Sequence, residues 1–238
     1  FPGTLAVTKR PVTVTVVGES ATYTYDSEEK TVAGYDISTE DELYDIAADT
    51  VFGGTQSVSR TDAGKTEMGL SAADFTNDND CFDVTYAVTD GWVNIVPADI
   101  ATGAEGDFAI VLGENPKYNG TVQTISVGSV TYKGMDVTYT LAGENATHAG
   151  TYTLTVKANG NFTGERSTTW QVLKRNVTFT SASATKAYDA SPLVNPNVTV
   201  GGDGFIGIEG AAFDVTGSQT VAGSSKNTFS YTLKAGTL

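Results

Sequence analysis

The chain is poor in the residues that staple, chelate or catalyse. Cysteine occurs once, at Cys81, and histidine once, at His148. A single cysteine excludes an intrachain disulfide framework and a Cys-based zinc site, and a single histidine excludes a His-based metal centre. The two do not make a nucleophile–base pair, because they fall in different segments and no third residue is marked out to orient the base. A G-x-S-x-G elbow is lacking, and the glycine-rich stretch 201–210 reads as strand and turn rather than as a phosphate loop opening a helix. Basic residues are scarce, 14 against 28 acidic, which leaves a net charge of −14. Such a surface repels phosphate backbones and anionic lipid, so no nucleic-acid partner is expected. No apolar run reaches 18 residues, so no membrane insertion through a helix is expected. The acidic residues could supply a glycosidase pair, but small strand repeats seldom build the deep cleft it needs. The chain is read as non-catalytic.

What is abundant is Gly (26 residues), with Thr and Val in alternation and 10% aromatic residues, the mixture of strands joined by tight turns. One two-part signature occurs three times. An aromatic–acid or aromatic–amide pair, Tyr25-Asp26, Tyr118-Asn119 and Tyr188-Asp189, is followed by Ala63-Gly64, Ala149-Gly150 and Ala222-Gly223. The Tyr-to-Gly separations are 39, 32 and 35 residues. Near-constant spacing in otherwise divergent text predicts tandem repeats. The Asp or Asn is expected to bond its own backbone two residues on and fix a turn, and the Gly to permit a close chain reversal. The third residue of that turn is Gly120 in the middle copy but Ser27 and Ala190 in the others, which predicts a different geometry there.

Residues 1–10 read as the closing strand of a preceding repeat, and the text as a piece of something longer. The first complete repeat spans 11–97. PVTVTV alternates with period two. The capping-box spacing of Thr39 and Glu42, with Leu43, Ile46 and Ala47 at helical intervals, predicts a short helix over 39–48. FDVTYAV is an alternating strand, with GWVNIV as its hairpin partner across Asp90-Gly91. The second repeat spans 98–175 and the third 176–238, which lacks its final strand. Linkers are nearly absent, so each closing strand feeds the next opening strand and a semi-stiff rod is expected. The fold class is all-β: a tandem array of small Ig-like β-sandwiches, with a β-grasp-like sheet carrying one short helix as the alternative for the first repeat.

YDSEEKTVAGYDIS, TDAGKTEMGLSAADFTNDND and FDVTYAVTDGWVNI, and in the third repeat KAYDASPLVNPNVTV with FDVTGSQTVAGSSKNTFSYTL, resemble the MBG-type (YDG-related) repeats of bacterial cell-surface proteins and adhesins. The resemblance implies an extracellular, cell-surface location and a stalk or spacer role, holding a distal domain away from the cell. The alternative is an adhesive module that itself binds host glycan or matrix protein. Tyr35, Tyr44, Trp92 and Tyr132 discriminate the two: grouped and exposed they favour adhesion, buried they favour the stalk. No cofactor is expected, although Asp74, Asn77, Asp78, Asn79 and Asp80 in the loop 74–80 offer hard oxygen ligands for calcium without EF-hand spacing. Residues 1–9 are expected either to pair with the first repeat or to complete the third repeat of a neighbouring molecule, giving head-to-tail self-association.

Overall fold

A computed structural model describes residues 1–104 and 106–237. The chain is 49% strand and 3% helix, which makes it an all-β protein of sandwich type. It divides into two units, each assembled from separate stretches of the chain. The first comprises 1–109, 130–140 and 157–165, and the second 110–129, 141–156 and 166–238.

The first unit is built on β1 (Arg10–Gly18), β2 (Ser20–Thr24), β3 (Lys30–Ala33) and β4 (Tyr35–Thr39). Then come α1 (Ile46–Asp49), β5 (Thr50–Phe52), β6 (Ser57–Arg60), β7 (Gly64–Glu67), β8 (Phe75–Asn77), β9 (Phe82–Thr89) and β10 (Trp92–Val96). In β1, Val12, Val14 and Val16 are buried while the intervening residues are exposed, so the period-two pattern settles which face meets the core. Burying each valine stabilises by roughly 1.5–3 kcal/mol. Their core is completed by Tyr44, Phe75 and Phe82, flanked by Tyr35, Phe52 and Tyr86.

Two three-stranded sheets form, ordered β4–β1–β9 and β2–β10–β7. The hairpin expected between β9 and β10 is not made. Instead β9 pairs parallel with β1, from Arg10 opposite Phe82 to Val17 opposite Thr89. β10 pairs parallel with β2 and antiparallel with β7. The reason lies at one corner. Two neighbouring chains leave one sheet for the other side by side, at Gly18-Glu19 and at Asp90-Gly91. A Cβ on Gly91 would sit 2.5 Å from the Glu19 carbonyl oxygen, so the backbones pass where no side chain fits. Asp90 then fixes the bend by accepting from the N–H groups of Gly69 and Leu70 at 2.8–3.0 Å.

The helix also differs from expectation. It covers only Ile46–Asp49, and its cap is Asp45, whose carboxylate accepts from Ala47 and Ala48 N–H. Thr39 is the last residue of β4; its hydroxyl donates to the Thr13 carbonyl at 3.0 Å and accepts from Asp41 N–H at 3.3 Å, and the residues that follow it turn rather than enter a helix. The first unit also holds the short strand β11 (Ala98–Asp99), parallel to Phe162–Thr163.

In the second unit Trp170, Val172, Leu154, Ile125 and Ala146 form a core, with Tyr118 and Tyr152 packed against it. Further along, Val177–Ser181 pairs antiparallel with Val198–Gly202, and Ala211–Val215 with Phe229–Leu233. Phe179 gathers Phe205, Phe213 and Tyr231 around it at ring separations of 4.8–6.0 Å.

Candidate functional site

The three signature turns share one geometry. Asp26 Oδ1 accepts from Glu28 N–H at 3.0 Å, Asn119 Oδ1 from Thr121 N–H at 2.9 Å, and Asp189 Oδ1 from Ser191 N–H at 3.0 Å. The residue between carries a positive φ in each case: Ser27 at 68°, Gly120 at 81° and Ala190 at 57°. The expected divergence of the first and third turns is therefore corrected. The Asx bond holds serine and alanine in a conformation that glycine adopts freely. Lys30 clamps Asp26 at 2.6 Å and Lys186 clamps Asp189 at 2.7 Å. These ammonium groups, helped by the turn's N–H, hold both carboxyls below the usual carboxylate range.

The tyrosines mark where a closing strand ends. Tyr25 N–H donates to the Val96 carbonyl, the last residue of β10, at 2.9 Å. Tyr118 N–H donates to the Leu173 carbonyl, also at 2.9 Å. The rings meet the segment that follows. Tyr25 packs edge-on against Phe162 at 5.3 Å, beside Asn161, whose amide donates to Asp62 while its carbonyl oxygen accepts from Ala63 N–H. Tyr118 faces Glu209, and burial together with that carboxylate raises its hydroxyl pKa. Next to it Lys117 pairs with Asp203 at 2.7 Å, and Arg175 donates to the carbonyls of Gly204, Asp203 and Tyr118. Sequence reasoning marked Asn161 only as part of the recurring stretch Asn161-Phe162-Thr163-Gly164 and missed Asp62, Lys117, Arg175 and Asp203. The available signal was a shared Gly-Asn or Gly-Asp step just before a Phe: Gly160-Asn161-Phe162 and Gly202-Asp203-Gly204-Phe205.

The Ala-Gly pairs are less uniform. Gly64 and Gly223 have φ of 131° and 145°, but Gly150 does not lie in the positive region. Gly64 opens β7, and a Cβ there would meet the Arg60 guanidinium, which bonds Asp62 O, Ala63 O and Thr66. Gly150 opens the strand Gly150–Ala158, which neighbours Glu165–Val172 in its sheet.

Comparison of the chain with protein-family models, with curated proteins and with solved structures found no match. The chemistry of the site therefore has to be read from its own residues.

In the loop 74–80 the side-chain oxygens of Asp74, Asn77 and Asn79 are engaged locally, while Asp80 is exposed with Lys9 Nζ 3.6 Å away. Asp74 accepts from Ser71 N–H and Oγ–H. Asn77 and Asn79 bond one another's backbone or side chain and those of Phe82, Cys81 and Asp49. Among the described residues no three His, Cys, Asp or Glu side chains are gathered to hold a metal ion. Of the aromatic discriminators, Tyr44 and Tyr132 are buried and Tyr35 packs on Phe52 and Phe75. Trp92 is half-buried with Lys65 Nζ 4.7 Å over its ring. Trp170 is buried and donates its indole N–H to Gly143 O. Cys81 is an exposed free thiol in the first unit.

Two concave features lie in the second unit. One, of about 350 Å³, is bounded by Tyr118, His148, Lys174, Arg175 and Glu209. The larger, about 480 Å³, is an open groove between 182–188 and 217–227. Tyr188, the third signature tyrosine, stands beside it and is 70% exposed, whereas Tyr25 and Tyr118 are half-buried.

Proposed function

We propose that this chain is a run of non-catalytic structural repeats, a stalk or spacer of MBG-like type in a bacterial cell-surface protein that presents a distal domain. The observation that carries the reading is the parallel pairing of β1 with β9 over eight residue pairs. Tension on the chain enters β1 at its N-terminal end and leaves through the C-terminal end of β10, which follows β9, so it bears on the parallel pairs β10–β2 and β9–β1. Parallel strands pulled in those directions slide past each other, so their hydrogen bonds are loaded together in shear rather than opened one by one. A spacer under tension needs such an element. The junction contacts of Tyr25 and Tyr118, and the lack of linkers, support the same role. Tyr35, Tyr44, Trp92 and Tyr132 are buried or packed and do not group into an exposed aromatic face, which favours the stalk over the adhesive alternative.

Single-molecule pulling between the chain ends tests this. A distinct force peak is expected for the first unit, and Thr15→Pro, which removes a ladder N–H at an exposed position of β1, should lower it. Featureless extension at low force would sink the stalk reading. Saturable binding on a glycan and matrix-protein array, lost in Trp92→Ala, would instead establish the adhesive one.

A further inference from the structure

The smaller of the two concave features, whose lining lies wholly in the second unit, carries an unmet charge. Glu209 closes a turn whose two ends bond each other. Its N–H donates to the Ile206 carbonyl at 3.0 Å, and its Oε2 accepts from Ile206 N–H at 3.1 Å. That reciprocal pair holds the carboxylate in place. The other oxygen, Oε1, is fully buried without a hydrogen-bond partner, the single side-chain nitrogen or oxygen so left among the described residues. The Tyr118 hydroxyl faces the carboxylate without bonding Oε1. Among the described residues Glu209 takes part in no ion pair. An anionic oxygen buried without a donor is costly, and the chain supplies none.

The same lining leaves an opposite charge unpaired. Arg175 commits its guanidinium to the carbonyls of Gly204, Asp203 and Tyr118. Lys174, also on the lining, is exposed and pairs with no carboxylate among the described residues. Much of the remaining wall is apolar, from Ala149, Val177 and the rings of Tyr118 and Phe205. At about 350 Å³ the cavity stands at the small end of ligand-binding pockets. A ligand of one sign answers one of the two charges and is opposed by the other. A ligand carrying both signs answers both.

We infer that this cavity binds a small zwitterion with an apolar body, of the class of a free α-amino acid with an aromatic side chain. Its ammonium donates to Glu209 Oε1 and to the Tyr118 hydroxyl oxygen, and its carboxylate pairs with Lys174. Its side chain packs on Val177 and Phe205. The inference goes beyond the stalk reading and does not depend on the β1–β9 clamp of the first unit.

The test is titration of the full chain with L-phenylalanine, followed by amide NMR to roughly 10 mM, a range suited to so small a ligand. Saturable shifts are expected at the amides of Ala149, Val177 and Phe205. Glu209→Gln retains an oxygen for Ile206 N–H, and Lys174→Gln alters an exposed, unpaired side chain, so both keep the fold, which the remaining amide signals verify. Glu209→Gln should weaken phenylalanine at least ~10-fold, and Lys174→Gln about 2–5-fold because its partner is solvent-screened. Phenethylamine, which lacks the carboxylate, and hydrocinnamate, which lacks the ammonium, should both bind the parent chain more weakly than phenylalanine. Should Glu209→Gln unfold, that three-ligand comparison still decides. A cavity that holds only solvent, with no shift at those amides, would overturn the inference. So would unchanged affinity in Glu209→Gln, or equal affinity for phenylalanine and either analogue. The pulling result of the first unit is independent of all of these.

Discussion

Ser27 and Ala190 sit in the left-handed region only because the preceding Asp locks the turn, a conformation that costs an L-residue roughly 1–2 kcal/mol. Gly120 shows the relaxed form of the same turn. Ser27→Gly and Ala190→Gly should therefore each stabilise, by up to about 1 kcal/mol once glycine's greater unfolded-state freedom is set against the relief. A rise in urea midpoint at constant slope is the expected readout, and a fall would show that the side chains contribute more than their backbones cost. Gly120→Ala should move the midpoint the other way.

At the scale of elements, the corner at Gly18-Glu19 and Asp90-Gly91 decides the topology of the first unit. A strand pair that reads as a hairpin is parted because Asp90 caps the Gly69 and Leu70 amides and Gly91 lies against backbone. Gly91→Ala is expected to destabilise by about 1–3 kcal/mol, since the Cβ meets a carbonyl oxygen that cannot move without breaking its bond to Trp92 N–H. Gly150→Ala, where the Cβ would find Tyr152 at an ordinary 3.6 Å, should be within experimental error of the parent. Chemical denaturation of the two variants side by side makes the comparison. Equal losses would mean that the corner is not tightly specified.

For the whole molecule, the titrating groups bracket a pH window. Asp26, Asp41, Asp189 and Asp203 are held below the ordinary value of 3.8, chiefly by bonds to Lys30, Arg10, Lys186 and Lys117. A lowered folded pKa gives stability that is complete above 3.8 and lost as pH falls below it. All four are solvent-screened, so the acid loss should be gradual. Tyr44 lies the other way. Burial among Thr50, Tyr86 and Asp49 pushes its hydroxyl up to about 12, so its contribution is complete below pH 10 and lost between 10 and about 12. Melting temperature against pH should show a plateau from about 4 to 10, with the alkaline limb shallower in Tyr44→Phe and its remainder carried in part by Tyr118, whose hydroxyl is also raised. An alkaline limb undiminished in that variant would place the responsible group elsewhere.

Much of this was legible in the chain itself. Alternation in PVTVTV, FDVTYAV and GTYTLTV marks strands, because a half-buried pleat demands apolar residues at every second position. The Asx turn after each signature tyrosine is equally local, and the side chain that makes it lies within two residues of the amide it binds. Three things needed the tertiary structure. Which strands pair was decided by the Gly18–Gly91 corner, where two segments far apart in the chain pass too closely for a side chain. The helix starts only at Asp45, whose carboxylate caps the Ala47 and Ala48 amides, because Thr39 ends a strand whose partner in β1 lies far away in the chain. The groove beside Tyr188 arises from where two distant segments come to rest, which no period or motif within either one records.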